Sequence, residues 1–159
     1  PGEVRNTFGS NLSFRRDVVE ELGGYPTADE GRNSQFQAGE TELCARLYRE
    51  YGRGVYYVPD AVVYHKIFEY RTKPKWLLER AFWQGVSKRW MEVTHPDATT
   101  DDRDFLKDLL TKFLPHRVRT VVTEPSKVTV AQLLFLICLL GSTGFGYVYG
   151  ILRGVGNDS

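Results

Sequence analysis

The chain has 159 residues, 42% hydrophobic and 26% charged, with a formal net charge of +1. That suffices for one modest domain of ordinary composition, and the near-neutral charge gives no signal for nucleic acid or another polyanion. Two cysteines, Cys44 in a polar amphipathic stretch and Cys138 in an apolar run, argue against a disulfide scaffold and read as small apolar fillers. The chain opens at Pro1-Gly2-Glu3-Val4, with no initiator Met and no signal peptide, which predicts a region of a longer protein.

Val4 to Phe14 alternates loosely around Gly9 and predicts strand and turn. Asp17 to Leu22 predicts a short helix, stopped by Gly23, Gly24 and Pro26, and the polar stretch from Thr27 to Ala38 predicts a loop. Glu40 to Tyr51 predicts a clear helix, because Leu43, Leu47 and Tyr51 recur every four residues and Gly52 follows. Gly54 to Val58 and Ala61 to Lys66 are β-rich runs about a Pro59-Asp60 turn. Lys75 to Val93 predicts a long helix with Trp76, Trp83 and Trp90 on one face. Its Lys75, Arg80, Lys88 and Arg89, with Lys73 just ahead, fit either a lipid headgroup surface or a core helix with snorkelling cations. Asp101 to Leu114 predicts an amphipathic helix closed by Pro115.

Composition then shifts sharply. Val128 to Leu152 is 25 residues without a charge, bracketed by Lys127 and Arg153. A bilayer core needs about 20 such residues in a helix. The run therefore predicts a transmembrane helix, and Arg117, Arg119 and Lys127 ahead of it predict that residues 1–127 face the cytoplasm. Gly146 and Gly150 in its glycine-rich second half suit either a helix-packing face or a kinked, re-entrant end.

Glu40 and Glu42 fall in the first turn of the helix that follows the polar loop. Helix N-termini favour ionised carboxylates, and a carboxylate beside a loop can accept a proton from a substrate hydroxyl. First-turn glutamates are also routine dipole partners, and Glu42 with Arg46 makes an ordinary i, i+4 pair. Asp102-Arg103-Asp104 has the letters of a metal-binding acidic motif but opens an amphipathic helix, so it reads as helix-start charge.

Four blocks in order carry a resemblance. Gly9-Ser10-Asn11-Leu12-Ser13-Phe14-Arg15-Arg16 with Leu22-Gly23-Gly24-Tyr25, then Gly39-Glu40-Thr41-Glu42-Leu43-Cys44-Ala45-Arg46-Leu47, resemble segments of family 2 glycosyltransferases of the GT-A fold. Val58-Pro59-Asp60-Ala61-Val62-Val63-Tyr64-His65 and Arg80 to Lys88, with Gln84-Gly85-Val86-Ser87, follow the same pattern. The cast is most similar to microbial membrane enzymes acting on lipid-linked, dolichyl-phosphate-type sugars. The resemblance implies an α/β architecture: the acceptor-side, C-terminal part of a GT-A domain over 1–95, amphipathic membrane-proximal helices over 96–127, the transmembrane helix over 128–152 and a tail over 153–159.

The same resemblance implies an inverting transfer from a nucleotide-sugar donor to a lipid-linked acceptor on the cytoplasmic side of the cell membrane. Glu40 falls where the family's catalytic base stands, with Glu42 as the fallback. The position before it, acidic in the family, is Gly39 here. Asn11, Arg15, Arg46, Arg71 and Gln84 become substrate-binding candidates, although Arg71 also reads as a neutral surface-loop arginine. His65 becomes a candidate ligand for a divalent metal, magnesium or manganese, whose main ligands are expected elsewhere; a strand-end histidine held by a hydrogen bond is an equal reading. Two alternatives stand beside this one. Arg89-Trp90 distantly matches a motif of processive polysaccharide synthases, though with the wrong spacing, and the Gly39 departure also suits a non-catalytic membrane-anchored module. Lacking a nucleotide-binding loop, the chain by itself is expected to be inactive.

Overall fold

The computed structural model describes residues 1–25, 38–96 and 100–157. The loop expected over Thr27 to Ala38 therefore lies almost wholly outside the described residues. The chain divides into two compact units, Pro1–Thr72 and Lys73–Ser159. Among the described residues helix predominates, and the sheet expected of an α/β domain is represented by two short strands.

In the first unit, β1 (Gly2–Val4) pairs antiparallel with β2 (Val55–Tyr57), with Glu3 opposite Tyr56. The expected strand from Val4 to Phe14 is thus displaced to the start of the chain, and Gly9–Asn11 forms a 3-10 turn. Nor does Ala61 to Lys66 form a strand. A strand needs a ladder partner for its backbone groups, and among the described residues β1 pairs only with β2. Helix α1 (Arg16–Glu21) is the short helix expected. Helix α2 (Gly39–Tyr51) starts one residue early and ends at Gly52, whose left-handed φ of 64° lets its N–H return to the Tyr48 carbonyl at 2.8 Å. The buried side of α2 holds Glu42, Leu43 and Cys44. Tyr51 donates to Glu21 at 2.6 Å and so ties α2 to α1. That bond to a carboxylate pushes the phenol up to about 12.

The second unit is built on two helices, α3 (Pro74–Thr94) and α6 (Lys127–Leu152). Proline at the start of α3 costs no hydrogen bond, because the first N–H groups of a helix are unpaired anyway. Ser126 caps α6, accepting from the Thr129 N–H, while the Thr129 hydroxyl accepts from the Ser126 N–H.

Glycine lets the two backbones meet. A methyl on Gly146 would lie 1.8 Å from the Phe82 carbonyl oxygen, and one on Gly85 would lie 2.0 Å from that of Thr143. Ser142 donates to the Leu78 carbonyl at 2.7 Å. Gly146 and Gly150 are buried here, so this pair forms a packing face, and α6 runs unbroken to Leu152. Trp90 and Met91 are core residues of α3, which places Trp90 inside the protein rather than against lipid.

Between the two helices, α4 (Thr100–Asp108) passes through one π turn (Leu109–Phe113) into α5 (Leu114–Thr123). Pro115 does not end this helix as expected. The π turn closes with the Leu114 N–H on the Leu109 carbonyl and shifts the hydrogen-bond register just ahead of the proline, which has no N–H to give. Arg103 pairs with Glu92 of α3 at 3.6 Å, and the Asp102 side chain lies outside the described residues.

Candidate active site

Helix α2 presents two first-turn carboxylates in different directions, since residues two apart on a helix point about 200° apart. Glu42 turns inward. Its Oε1 is 2.8 Å from Arg46 Nε and its Oε2 accepts from Arg46 Nη2 at 2.8 Å, with side-chain exposures of 7% and 15%. Arg46 also donates to the Gly24 carbonyl at 2.8 Å and to the Leu22 carbonyl. This pair therefore holds the turn after α1, where Gly23 and Gly24 take left-handed φ values of 88° and 91°. Arg46, expected as a substrate-binding residue, is engaged inside the protein.

Glu40 turns the other way, onto the Gly9 turn. A methyl at Gly9 would lie 2.0 Å from Glu40 Oε1 and 2.7 Å from its Cγ and Cδ, so the carboxylate occupies the space that glycine leaves. Around it stand Tyr25, whose phenol is pushed up by burial and by the Glu40 charge, and Cys44, whose thiol is raised first by burial and further by Glu40. A raised thiol is a poor nucleophile.

The turn beneath Glu40 is pinned on both sides. Asn6 Nδ2 donates to Thr41 Oγ1 at 3.1 Å, and Asn11 Nδ2 donates to the Ala61 carbonyl at 2.5 Å. Asn11, a substrate-binding candidate, thus serves the shape of the site through a bond that sequence spacing does not reveal.

The other candidates are dispersed. Arg15 is exposed and holds Asp17 by two hydrogen bonds, one of 3.1 Å, which lowers the Asp17 carboxyl and raises the arginine. His65 is exposed in the irregular run before the 3-10 turn Glu69–Thr72. Arg71 donates to Tyr70 Oη at 3.1 Å and lies over the Phe68 and Tyr70 rings. Gln84 belongs to the second unit, half-buried in mid-α3. Arg89 pairs with Glu92 at 3.5 Å and lies against Gly150, while Trp90 is buried beside His95, so the Arg-Trp pair serves helix packing. Among the described residues, no group of three or more His, Cys, Asp or Glu side chains gathers to hold a metal ion.

No protein-family model matches the chain, and no solved structure matches it. Over 152 residues, 94% of its length, it is 47% identical to a glucosyl-dolichyl phosphate glucuronosyltransferase of Haloferax volcanii. The match covers 48% of that relative, so the chain spans about half the relative's length. The four blocks quoted above, the Glu40 turn among them, thus belong to a chain whose curated relative is a glycosyltransferase named for a dolichyl phosphate sugar.

Proposed function

We propose that the complete protein is an inverting glycosyltransferase that moves a sugar from a nucleotide-sugar donor onto a sugar carried by dolichyl phosphate. In this reading the chain supplies the acceptor side of a GT-A domain, at the cytoplasmic face of the membrane. The observation that carries it is the Glu40 carboxylate seated on the Gly9 turn, in a chain 47% identical to a dolichyl-phosphate-sugar glucuronosyltransferase.

Glu40 takes the proton from the attacking acceptor hydroxyl as its oxygen bonds to the anomeric carbon of the donor. The bond from that carbon to the donor phosphate breaks, and the nucleoside diphosphate leaves with the electron pair. A divalent metal would neutralise the departing diphosphate. The described residues do not assemble a site for it, and His65 offers a single nitrogen, so the main ligands are assigned to the rest of the protein.

The test is transfer of labelled sugar to glycosylated dolichyl phosphate by the complete enzyme in membranes. Glu40→Gln lowers turnover about 100-fold or more while donor binding is kept. Near-normal turnover would remove Glu40 from the role of base.

A further inference from the structure

Helix α6 is long and apolar enough to cross a membrane. Its packing limits how it can do so. Leu78 meets Ser142, Phe82 meets Gly146, Arg89 meets Gly150 and Val93 meets Gly156. The numbers rise together, so α3 and α6 run parallel, with α3 covering α6 from Ser142 onward.

Helix α3 cannot enter hydrocarbon. Between Arg80 and Lys88 it has only seven uncharged residues, and Glu79 and Arg80 are exposed. Those two charges follow directly on Leu78 and so stand level with the Ser142–Gly146 turn of α6. With that turn at the water boundary, only Lys127 to Gly141 remains to cross. Fifteen residues reach about 22 Å at 1.5 Å each, against a hydrocarbon core of about 30 Å.

The exposed residues of α6 include one apolar stripe. Val130, Leu134, Ile137, Phe145, Val148 and Leu152 are 40%, 58%, 51%, 74%, 50% and 80% exposed. Their three- and four-residue spacing, and the eight-residue return from Ile137 to Phe145 through Gly141, put them in one stripe along the helix. On α6 this stripe lies opposite Ser142, Gly146 and Gly150, which face α3. Just ahead of α6 the chain is basic: Lys112 to Lys127 holds Lys112, Arg117, Arg119 and Lys127 against Glu124 alone.

We propose that α6 lies in the plane of the membrane surface instead of crossing it. The stripe sits among the acyl chains of a bilayer with acidic headgroups, and α3 lies on the water side. α6 itself carries no charge from Val128 to Leu152, so the polar side of this arrangement is supplied by α3, and the cations at the start of α6 suit acidic headgroups. The proposal deepens the membrane attachment of the preceding reading and does not depend on the chemistry assigned to Glu40.

The complete enzyme, with Cys44 and Cys138 changed to alanine, tests it through single cysteines at Ser126→Cys and Asn157→Cys. A membrane-impermeant maleimide should miss both positions on intact cells and reach both once the membrane is opened. Labelling of Asn157→Cys alone from outside would mean a full crossing and would overturn the proposal. Nitroxides at Leu134→Cys, Ile137→Cys, Phe145→Cys and Leu152→Cys, in vesicles containing phosphatidylglycerol, should report one shallow depth. A maximum depth in the middle would mean a re-entrant hairpin, and cross-linking of two copies through Phe145→Cys in detergent would mean the stripe is a protein interface; either result overturns it. Sugar transfer is read separately, so failure here leaves the enzymatic reading standing.

Discussion

Changing Gly9 to alanine adds one methyl group where Glu40 now lies. The new carbon would stand 2.0 Å from Oε1 and 2.7 Å from Cγ, against an ordinary contact distance of at least 3.4 Å. The oxygen must therefore retreat by about 1.4 Å, the difference of those two distances. Because Cγ clashes as well, the side chain must swing away as a whole. The backbone at Gly9 takes no left-handed φ, so alanine itself is tolerated and stability should change little. Misplacing a reacting group by about 1 Å costs about 100-fold in rate. Gly9→Ala should therefore lower turnover about 100-fold in the complete enzyme, read as labelled sugar reaching the lipid acceptor. If Gly9 acts only through Glu40, the methyl adds little once the Glu40 carboxylate is gone. Gly9→Ala with Glu40→Gln should then be no slower than Glu40→Gln alone, a coupling of about 2.7 kcal/mol. Independent losses that multiply to about 10,000-fold would refute the argument, and so would a Gly9→Ala enzyme within threefold of normal.

Two further outcomes follow from the second unit. Gly146→Ala should destabilise the protein by about 1–3 kcal/mol, because its methyl meets a backbone carbonyl that cannot move aside. Gly141→Ala, on the same helix with nothing within 4 Å, should be neutral or slightly stabilising; thermal unfolding of both variants in detergent checks the contrast. The Glu92 carboxyl is lowered, chiefly by the hydrogen bond from Tyr147 and further by Arg89 and Arg103. A carboxyl lowered in the folded state contributes stability above its unfolded pKa and loses it as pH falls through the folded one. Glu92→Gln should therefore lower the melting temperature at neutral pH, and the gap from the parent should close on the acid side.

The sequence carried the helices well and their surroundings poorly. Helix α2 was legible because its apolar spacing and Gly52 act within a dozen residues. The irregular course of Ala61 to Lys66 was not, because strand formation depends on a partner, and β-branched residues cannot announce whether one is present. Pro115 misled for a related reason. A proline stops a helix only if its neighbours keep the α register, and here a π turn gives that register up. The glycines of α6 left packing and kinking equally open until the backbone of α3 was found against them. Of the site, the residue types at the start of α2 were readable, whereas Gly9 as the seat of Glu40 and Asn11 as a strut to Ala61 depend on contacts between distant segments.

Glu40 and Glu42 show the same limit, and the structure turns it into an experiment. In sequence they are equivalent first-turn acids. In the fold, Glu42 is an internal counter-charge and Glu40 faces the Gly9 turn. Removing one partner of a buried ion pair strands the other charge, at about 3 kcal/mol or more. Arg46 also holds the carbonyls of Leu22 and Gly24, so the turn leading to Tyr25 loosens with it. Glu42→Gln should therefore cost several degrees of melting temperature, while turnover per folded molecule stays within a few-fold of the parent at low temperature. Glu40→Gln should do the reverse, keeping the melting temperature and losing turnover. Denaturant unfolding and sugar transfer, measured on the same preparations, separate the two effects. If Glu42→Gln abolished transfer in a protein of unchanged stability, the inward carboxylate would be the base, and the assignment of that role to Glu40 would be wrong.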